Sequence, residues 1–128
     1  MRYLLDTHVV LWAILDSPRL GSATREILGN LENRLYFSAT CIWEITIKRG
    51  RLRHDFLYDP GEIRTRLTEN GYEELPIRSQ HAVEVGALPP IHKDPFDRIL
   101  IAQAKVEGIT LLTSDAVVAQ YPGPIRKV

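Results

Sequence analysis

One stretch of the chain, residues 92–104, restricts the possible fold more than any other. Near its start it has two acids, Asp94 and Asp97, on either side of Pro95 and Phe96. Very few polar residues follow them. Asp94 suits the N-cap of a helix, and Pro95 suits the first helical position, where its missing N–H costs nothing. A helix that is apolar on most sides must be covered on more than one side. We therefore predict a buried helix with two carboxylates at its N-terminus.

Short apolar segments alternate with helical segments along the whole chain. The predicted strands cover residues 3–5, 35–38, 72–77, 109–113 and 125–128. The predicted helices cover residues 8–15, 22–31, 41–49, 60–69, 79–85 and 95–107, with Ser22 as the cap of the second helix and Leu31 on its apolar face. This alternation predicts an α/β fold, in which helices cover both faces of a mostly parallel central sheet. Without an internal repeat or linker, we predict a single domain of residues 1–128.

Composition limits the class of protein but not its partners. A chain of 128 residues that is 45% hydrophobic can form one full core. Sixteen basic and sixteen acidic residues give a net charge of zero, so a nucleic-acid partner would have to be bound by local patches. The single cysteine, Cys41, cannot form an internal disulfide. No apolar run is long enough to span a bilayer and no signal peptide is present, so we expect a soluble cytoplasmic protein.

Several acids fall at the ends of predicted elements. Asp6 directly follows the first strand, and Asp115 follows strand 109–113. In an open parallel sheet, ligands bind beyond the carboxyl ends of the strands, and the N-terminus that carries Asp94 and Asp97 faces one edge of the sheet. Glu44 lies among apolar neighbours, where an ionised carboxylate is costly unless it is paired or bound to a metal. We expect these acids to meet at one edge of the sheet.

Each acid also has a purely structural interpretation. Asp6 can cap the next helix, Asp115 can cap a turn, and Asp97 can interact with the dipole of its own helix. Glu44 can pair with Lys48 one helical turn later. Converging acids would nevertheless repel one another, and a divalent cation, which prefers hard oxygen ligands, would make them tolerable. The neighbouring hydroxyl side chains that suit a supporting role are those of Thr7, Thr113 and Ser114.

Four segments resemble, in order and spacing, the acidic motifs of the PIN-domain nucleases, especially the VapC toxins of toxin–antitoxin pairs. The segments are LLDT (4–7), IWEI (42–45), HKDPFDR (92–98) running into IAQA (101–104), and LTSD (112–115). The resemblance covers essentially the whole chain, and it implies a PIN-like (Rossmann-like) three-layer α/β/α sandwich. It also implies that Asp6, Glu44 and Asp97 are the core metal-binding acids and that Asp115 is the fourth. Asp94 matches the motif too, although its cap chemistry is enough to explain it.

The same resemblance implies a toxin that is an endoribonuclease dependent on Mg²⁺ or Mn²⁺. In such an enzyme, water activated by the carboxylate-bound cation hydrolyses an RNA phosphodiester bond and leaves a 5′-phosphate and a 3′-hydroxyl. Transfer RNA and ribosomal RNA are both plausible substrates. The resemblance further implies a homodimer and a VapB-like antitoxin that wraps the toxin and blocks the acidic pocket. Helices 22–31 and 60–69 would clamp this partner, although their apolar residues could equally complete the core.

RNA binding requires positive charge near the acids, because phosphate contacts dominate affinity. The candidates are the basic side chains that closely follow Glu44 and Asp97, namely Lys48, Arg49, Arg51, Arg53 and Arg98. The alternative for the cluster at 48–53 is a solvated helix end, where the helix dipole favours basic residues.

Two other functions compete with the metal-dependent nuclease. A metal-free ribonuclease would use a pair of histidines, but His8, His54, His81 and His92 show no informative spacing. A non-catalytic RNA- or protein-binding module would retain the acids only as caps. No nucleophile is convincing, since we expect Cys41 to be a small core residue. We expect Trp12 and Trp43 in the core or in an interface.

Overall fold

The architecture comes from a computed structural model that describes residues 1–51 and 57–128. Strands and helices alternate as the sequence predicts. In chain order they are β1 (Arg2–Leu5), α1 (Thr7–Ile14), α2 (Ser22–Gly29), β2 (Arg34–Ser38), α3 (Ala39–Gly50), α4 (Pro60–Glu69), β3 (Glu73–Leu75), α5 (Ser79–Val85), α6 (Pro95–Glu107), β4 (Thr110–Thr113), a 3₁₀ turn (Val118–Gln120) and β5 (Ile125–Lys127).

The five described strands form one sheet in the order β3-β2-β1-β4-β5, and every pairing is parallel. From β1 the chain proceeds outward through β2 to β3, and it then crosses back to place β4 on the other side of β1. Because such crossovers are right-handed, this reversal puts α1 to α4 on one face and α5 and α6 on the other. The predicted three-layer α/β fold with a mostly parallel sheet is confirmed.

The core lies on both faces of β1 and β4 and against α6. Leu4 and Leu5 of β1 and Leu111 and Leu112 of β4 are completely buried, as expected for central strands of a parallel sheet. Residues Leu100 to Ala104 of α6 are also buried, which confirms the prediction of a helix covered on several sides. No described helix has both the length and the apolar character needed to cross a membrane.

Two predictions about α2 are wrong. The N-cap position belongs to Gly21, so Ser22 is the first helical residue and not the cap. Leu31 lies beyond the end of the helix and its side chain is fully exposed, so it does not contribute to an apolar face. A local capping pattern placed the helix correctly but shifted both of its ends.

For other apolar residues the structure decides between alternatives that the sequence left open. Ile63 and Leu67 of α4 are buried in the core, so they are not available to clamp a partner. Trp43 is 56% exposed on α3 and its ring meets the edge of Phe96, which excludes a core role and leaves the interface interpretation. The burial of each side chain therefore shows which apolar residues belong to the core of this chain.

The reversal of strand order between β1 and β4 opens a crevice at the carboxyl ends of these two strands. Ligands of open α/β sheets bind at such a switch point. Asp6 immediately follows β1, and its backbone N–H donates to the carbonyl of Leu112 in β4 at 3.0 Å. The fold thus places Asp6 and Asp115 on either side of the crevice.

The end of α6 provides a test of the fold. Gly108 adopts a left-handed conformation with φ of 66°, and its N–H donates to the carbonyl of Ala104. Gly108→Ala should therefore lower the free energy of unfolding by about 1–2 kcal/mol, the cost of a Cβ in this conformation. Urea denaturation measures this loss. The matched control is Gly29→Ala in α2, where a Cβ meets no atom within 4 Å; equal losses in both variants would contradict the prediction.

Candidate metal centre

A pocket of about 150 Å³ opens at the carboxyl ends of β1 and β4. It is surrounded by five carboxyl groups, those of Asp6, Glu44, Asp94, Asp97 and Asp115. The other described residues that line it are Thr7, His8, Lys48 and His92. Among the lining residues that the structure describes, the acids outnumber the lysine five to one. Like charges held this close disfavour the ionised form of one another.

Asp6 is nearly completely buried, and both of its carboxylate oxygens accept hydrogen bonds. Oδ1 accepts from the backbone N–H of Val9 at 2.9 Å, which confirms its role as the cap of α1. Oδ2 accepts from the hydroxyl of Thr113 at 2.6 Å and from the backbone N–H of Ser114 at 3.3 Å. Burial raises the pKa of Asp6 above its ordinary value although these donors lower it. Ser114 therefore contributes its backbone to this contact and not the predicted hydroxyl.

Glu44 is the second buried acid, and α3 directs it into the same pocket. The hydroxyl of Thr7 donates to Oε1 at 2.5 Å, and Nζ of Lys48 lies 2.5 Å from Oε2. Thr7 therefore contacts a different acid from Thr113, and each hydroxyl orients one carboxylate. The predicted pairing of Glu44 with Lys48 across one helical turn is confirmed. Lys48 supplies the positive charge that this acid needs inside the protein.

Asp94 and Asp115 both act as local caps at the border of the pocket. Oδ1 of Asp94 accepts from the backbone N–H groups of Phe96 at 2.8 Å and Asp97 at 3.4 Å, so Asp94 is the N-cap of α6 as predicted. Oδ1 of Asp115 accepts from the backbone N–H of Val117 at 2.7 Å. In each case these hydrogen bonds use one oxygen and hold the side chain in position.

Asp97 is half-buried in the pocket and lies near several like charges. Burial raises its pKa to about 7, and the charges of Asp94, Glu44 and Asp6 add to the rise. His92, whose Nε2 lies 2.9 Å from Oδ2 of Asp97, acts in the opposite direction. The helix dipole, which favours a charged Asp97 by about 1 kcal/mol or less, is too weak to compensate. The acids are thus close enough to control each other's ionisation.

The sequence argument did not identify His8 and His92 as residues of this pocket. His8 lies near Asp6 and lowers its pKa. His92 approaches both Asp97 and Asp115, at 2.9 and 3.7 Å from its Nε2. A sequence signal was available for each, because His8 lies two residues after Asp6 and His92 lies two residues before the cap of α6. Residues next to a helix N-terminus share the edge of the sheet on which that helix begins.

The basic residues proposed for RNA binding have different environments. Lys48 lines the pocket, Arg49 lies 3.7 Å from Asp59, and Arg51 is exposed just after α3. Arg53 and His54 lie outside the described residues. The cluster therefore begins inside the pocket and continues onto the surface.

Arg98 departs from its predicted role. Its guanidinium donates to the carbonyls of Val85, Pro89 and His92 at 3.0 to 3.3 Å and to the hydroxyl of Tyr121 at 3.1 Å. These acceptors hold together the segment that leads into α6. The proposed RNA contact is thus replaced by a structural role, because the guanidinium is occupied by internal acceptors.

Neither Cys41 nor His81 is placed to act as a side-chain nucleophile in the pocket. Cys41 is fully buried, its thiol lies 3.7 Å from the carbonyl of Leu5, and burial raises its pKa to about 12. The predicted core role of Cys41 is confirmed. His81 is buried in α5, where its Nδ1 accepts from the backbone N–H of Arg78 at 2.9 Å. Neither residue lines the acidic pocket.

The donor set of the pocket fits a hard divalent cation. Carboxylate oxygens from four elements or element ends converge there, and such oxygens are the ligands of Mg²⁺ and Mn²⁺. Burial, and after it the charges of Asp94, Glu44 and Asp6, raise the pKa of Asp97, and a cation bound there would oppose this rise. Among the described residues, the ligand atoms that come within 4.8 Å of one another belong to His92, Asp94 and Asp97. Of the four acids that were predicted to bind the metal, only Asp97 belongs to this group.

Comparison with known proteins assigns the fold family. A family model for the PIN domain matches residues 3–124. The chain belongs to the PIN-domain family. This agrees with the resemblance of its four acidic segments. No curated protein sequence matches the chain.

Solved structures with the same fold as this PIN domain include toxin–antitoxin complexes. VapBC2 from Rickettsia felis bound to a promoter DNA fragment has a TM-score of 0.71 at 17% identity, over 99% of this chain and 98% of that chain. DNA-bound VapBC from Salmonella typhimurium has a TM-score of 0.68 at 18% identity, over 99% and 98%. VapBC-1 from nontypeable Haemophilus influenzae has a TM-score of 0.61 at 20% identity, over 94% and 91%. At these identities the likeness establishes the shared PIN fold.

The pKa of Asp97 makes stability depend on pH. The pKa is about 7 in the folded protein and 3.8 for an unperturbed aspartate, so the folded state binds more protons between these values and loses stability as pH rises through about 7. Asp97→Asn removes this loss. In metal-free protein it should raise the melting temperature clearly at about pH 8 and much less at about pH 5. Calorimetry at the two pH values tests this; an equal change at both would contradict it.

Proposed function

We propose that this protein is a VapC-type toxin, a cytoplasmic endoribonuclease that depends on Mg²⁺ or Mn²⁺ and is inhibited by a cognate antitoxin. In this proposal residues 1–128 form a single PIN domain. The observation that supports it best is the pocket at the switch point of a PIN fold, where five acids face one described lysine. Acids that are crowded together in this way, two of them buried, reduce stability, and such clusters are typical of sites where a cation or a reaction requires them.

Asp6, Glu44 and Asp97 would hold the cation, with Asp115 as the fourth acid. When bound, the cation lowers the pKa of a water molecule and neutralises charge that develops on the phosphodiester. The chain prepares the site in advance, because Thr113 and Thr7 each donate to one of the buried carboxylates. Carboxylates that are already oriented need no rearrangement when the cation binds.

Lys48 would have two roles in this proposal. In the metal-free protein its ammonium lies against Glu44 and compensates that charge. Once a cation compensates Glu44, the ammonium at the pocket wall can contact a phosphate oxygen of RNA instead. Lysine suits this role because its ammonium acts as a compact charge with freely rotating donors.

The partner and the assembly also belong to the proposal. The named solved structures are VapBC complexes, which supports a VapB-like antitoxin as the partner of this protein. A homodimer is supported by an exposed apolar area on α3 and the loop before α5. Trp43 and Ile77 are 56% and 41% exposed there, and they line one cavity together with Phe96. Large exposed apolar side chains that lie together mark interaction surfaces more often than chance.

Cleavage of RNA by the purified protein tests the proposed activity. Wild type should cut single-stranded RNA or folded transfer and ribosomal RNA with Mn²⁺ or Mg²⁺, leave 5′-phosphate ends and lose activity in EDTA. Asp97→Asn should reduce the rate by more than about 100-fold, since even residues that only orient metal ligands contribute 10–100-fold. The matched control is Glu69→Gln, an exposed acid at the end of α4 that also loses one charge.

Two outcomes would favour the competing functions. Activity that survives EDTA and leaves cyclic phosphate ends would indicate a metal-free enzyme, in which His8 and His92 of the pocket are the candidate acid and base. If wild type cleaves no RNA, and its Mn²⁺ binding is unchanged by Asp97→Asn in a folded variant, the protein is a binding module whose acids are caps. In cells, growth arrest by both wild type and Asp6→Asn would also count against the nuclease.

RNA affinity tests the basic cluster after α3. In the inactive Asp97→Asn background, adding Arg49→Ala and Arg51→Ala should weaken RNA binding. It should also reduce the slope of log affinity against log salt by about 1.4, or 0.7 for each lost phosphate contact on a single strand. Fluorescence anisotropy over a salt series measures both. The control pair Arg2→Ala and Arg34→Ala lies at the opposite edge of the sheet; similar effects in both pairs would contradict a local RNA contact.

A further inference from the structure

The imidazole of His92 presents an unsatisfied nitrogen to the acidic pocket. Its Nε2 is buried and has no aligned hydrogen-bond partner among the described residues. Two carboxylate oxygens are nevertheless close, Oδ2 of Asp97 at 2.9 Å and Oδ2 of Asp115 at 3.7 Å. A buried polar atom without a partner is costly, and in a native structure it usually has a functional reason.

The other ring nitrogen determines what Nε2 can do. Nδ1 of His92 accepts from the backbone N–H of Lys93 at 3.1 Å and lies 3.5 Å from the backbone N of Asp94, which also donates to it. A nitrogen that accepts hydrogen bonds carries a lone pair and no proton. The proton of the imidazole is therefore on Nε2, so this atom is a donor toward the pocket.

This arrangement argues against His92 as a metal ligand, although its nitrogen lies close to oxygens of Asp94 and Asp97. A histidine that binds a metal through Nε2 uses the lone pair of that atom and donates its Nδ1–H to an acceptor. Here Nδ1 faces two backbone donors instead of an acceptor. If Nε2 bound a metal, the proton of the neutral ring would have to be on Nδ1. There it would point at the backbone N–H groups, hydrogen against hydrogen.

We propose that His92 is a positioning residue whose Nε2–H holds the carboxylate of Asp97 toward the cation, beside the carboxylate of Asp115. The inference rests on the proposed function and extends it to a residue outside the four acids. Oδ2 of Asp97 is already within hydrogen-bond distance of Nε2, so alignment of the N–H completes this contact. Asp97 then has a side-chain donor, as Asp6 and Glu44 have in Thr113 and Thr7.

The backbone of His92 is itself held by a separate set of contacts. Its N–H donates to the hydroxyl oxygen of Tyr121 at 2.6 Å. Arg98 donates to that same oxygen at 3.1 Å and to the carbonyl of His92 at 3.3 Å. Tyr121 comes from the segment after β4 and Arg98 from α6, so the two elements that carry Asp115 and Asp97 jointly locate the histidine. This explains why the guanidinium of Arg98 is directed inward.

Two substitutions distinguish the role of Nδ1 of His92 from the role of its Nε2. In His92→Asn the side-chain oxygen can replace Nδ1 as the acceptor for the backbone, but the Nε2 donor is lost. His92→Gln is longer and can return an N–H donor to the position of Nε2. In isothermal titration calorimetry, His92→Asn should weaken Mn²⁺ binding by about 10–100-fold, the usual effect of losing a group that orients metal ligands. His92→Gln should recover most of that affinity, which a merely structural role would not predict.

Two spectroscopic measurements test the assignment of the proton and the ligand. Nitrogen-15 NMR of the histidines in metal-free protein should show His92 as the Nε2–H tautomer. Pulsed electron paramagnetic resonance of Mn²⁺-loaded protein should show no directly coordinated nitrogen in wild type. A proton on Nδ1, or a coordinated nitrogen that disappears in a folded His92→Asn variant, would overturn the proposal.

The outcomes distinguish this inference from the proposed function. If wild type binds no Mn²⁺ and cleaves no RNA, the proposed function fails. If wild type binds Mn²⁺ but His92→Asn binds it equally well, the positioning role of His92 fails and the metal site remains. A His92→Asn variant that loses only RNA affinity would equally overturn the positioning role, because the N–H would then serve the phosphate.

Discussion

The hydrogen bond between the hydroxyl of Thr113 and the carboxylate of Asp6 is the contact on which the rest of the site depends. It joins β4 to the end of β1 at the position where the strand order reverses. The other oxygen of Asp6 caps α1, so one buried carboxylate connects two strands and a helix. Because its donors come both from α1 and from the end of β4, Asp6 has little freedom to move. The pocket is thereby formed before any ligand arrives.

The convergence of acids that forms the pocket reduces the stability of the folded protein. Acids from several elements face one another, and the charges of Asp94, Glu44 and Asp6 add to the rise in the pKa of Asp97 that burial causes. Lys48 offsets part of this charge through Glu44, and His92 offsets part of it at Asp97. In a protein that only needed to fold, neutral side chains would be preferred at these positions. This incomplete compensation of negative charge favours a function in which a ligand supplies the positive charge.

Local signals were sufficient to predict the elements and the acids. An acid after an apolar strand, or just before an apolar helix, marks an element end, and in a parallel α/β sheet the ends of β1 and β4 and the start of α6 share one edge. Asp6, Asp97 and Asp115 were predicted on that basis, and all three line one pocket. Predictions that depended on packing were less successful. Arg98 is occupied internally, and the sequence left core and interface open for Trp43, which is exposed, because neighbours distant in sequence decide burial and hydrogen bonding.

The sequence alone determined the order of strands and helices, the α/β class and which acids could meet, because caps, apolar periodicity and strand ends are properties of adjacent residues. Only the tertiary structure decided which donor serves each acid and which histidines enter the pocket. The proton on Nε2 of His92 follows from backbone N–H groups that face Nδ1, and its neighbours Asp97 and Asp115 come from different elements. Such contacts depend on distances across the sheet edge, which a linear pattern of residues does not contain.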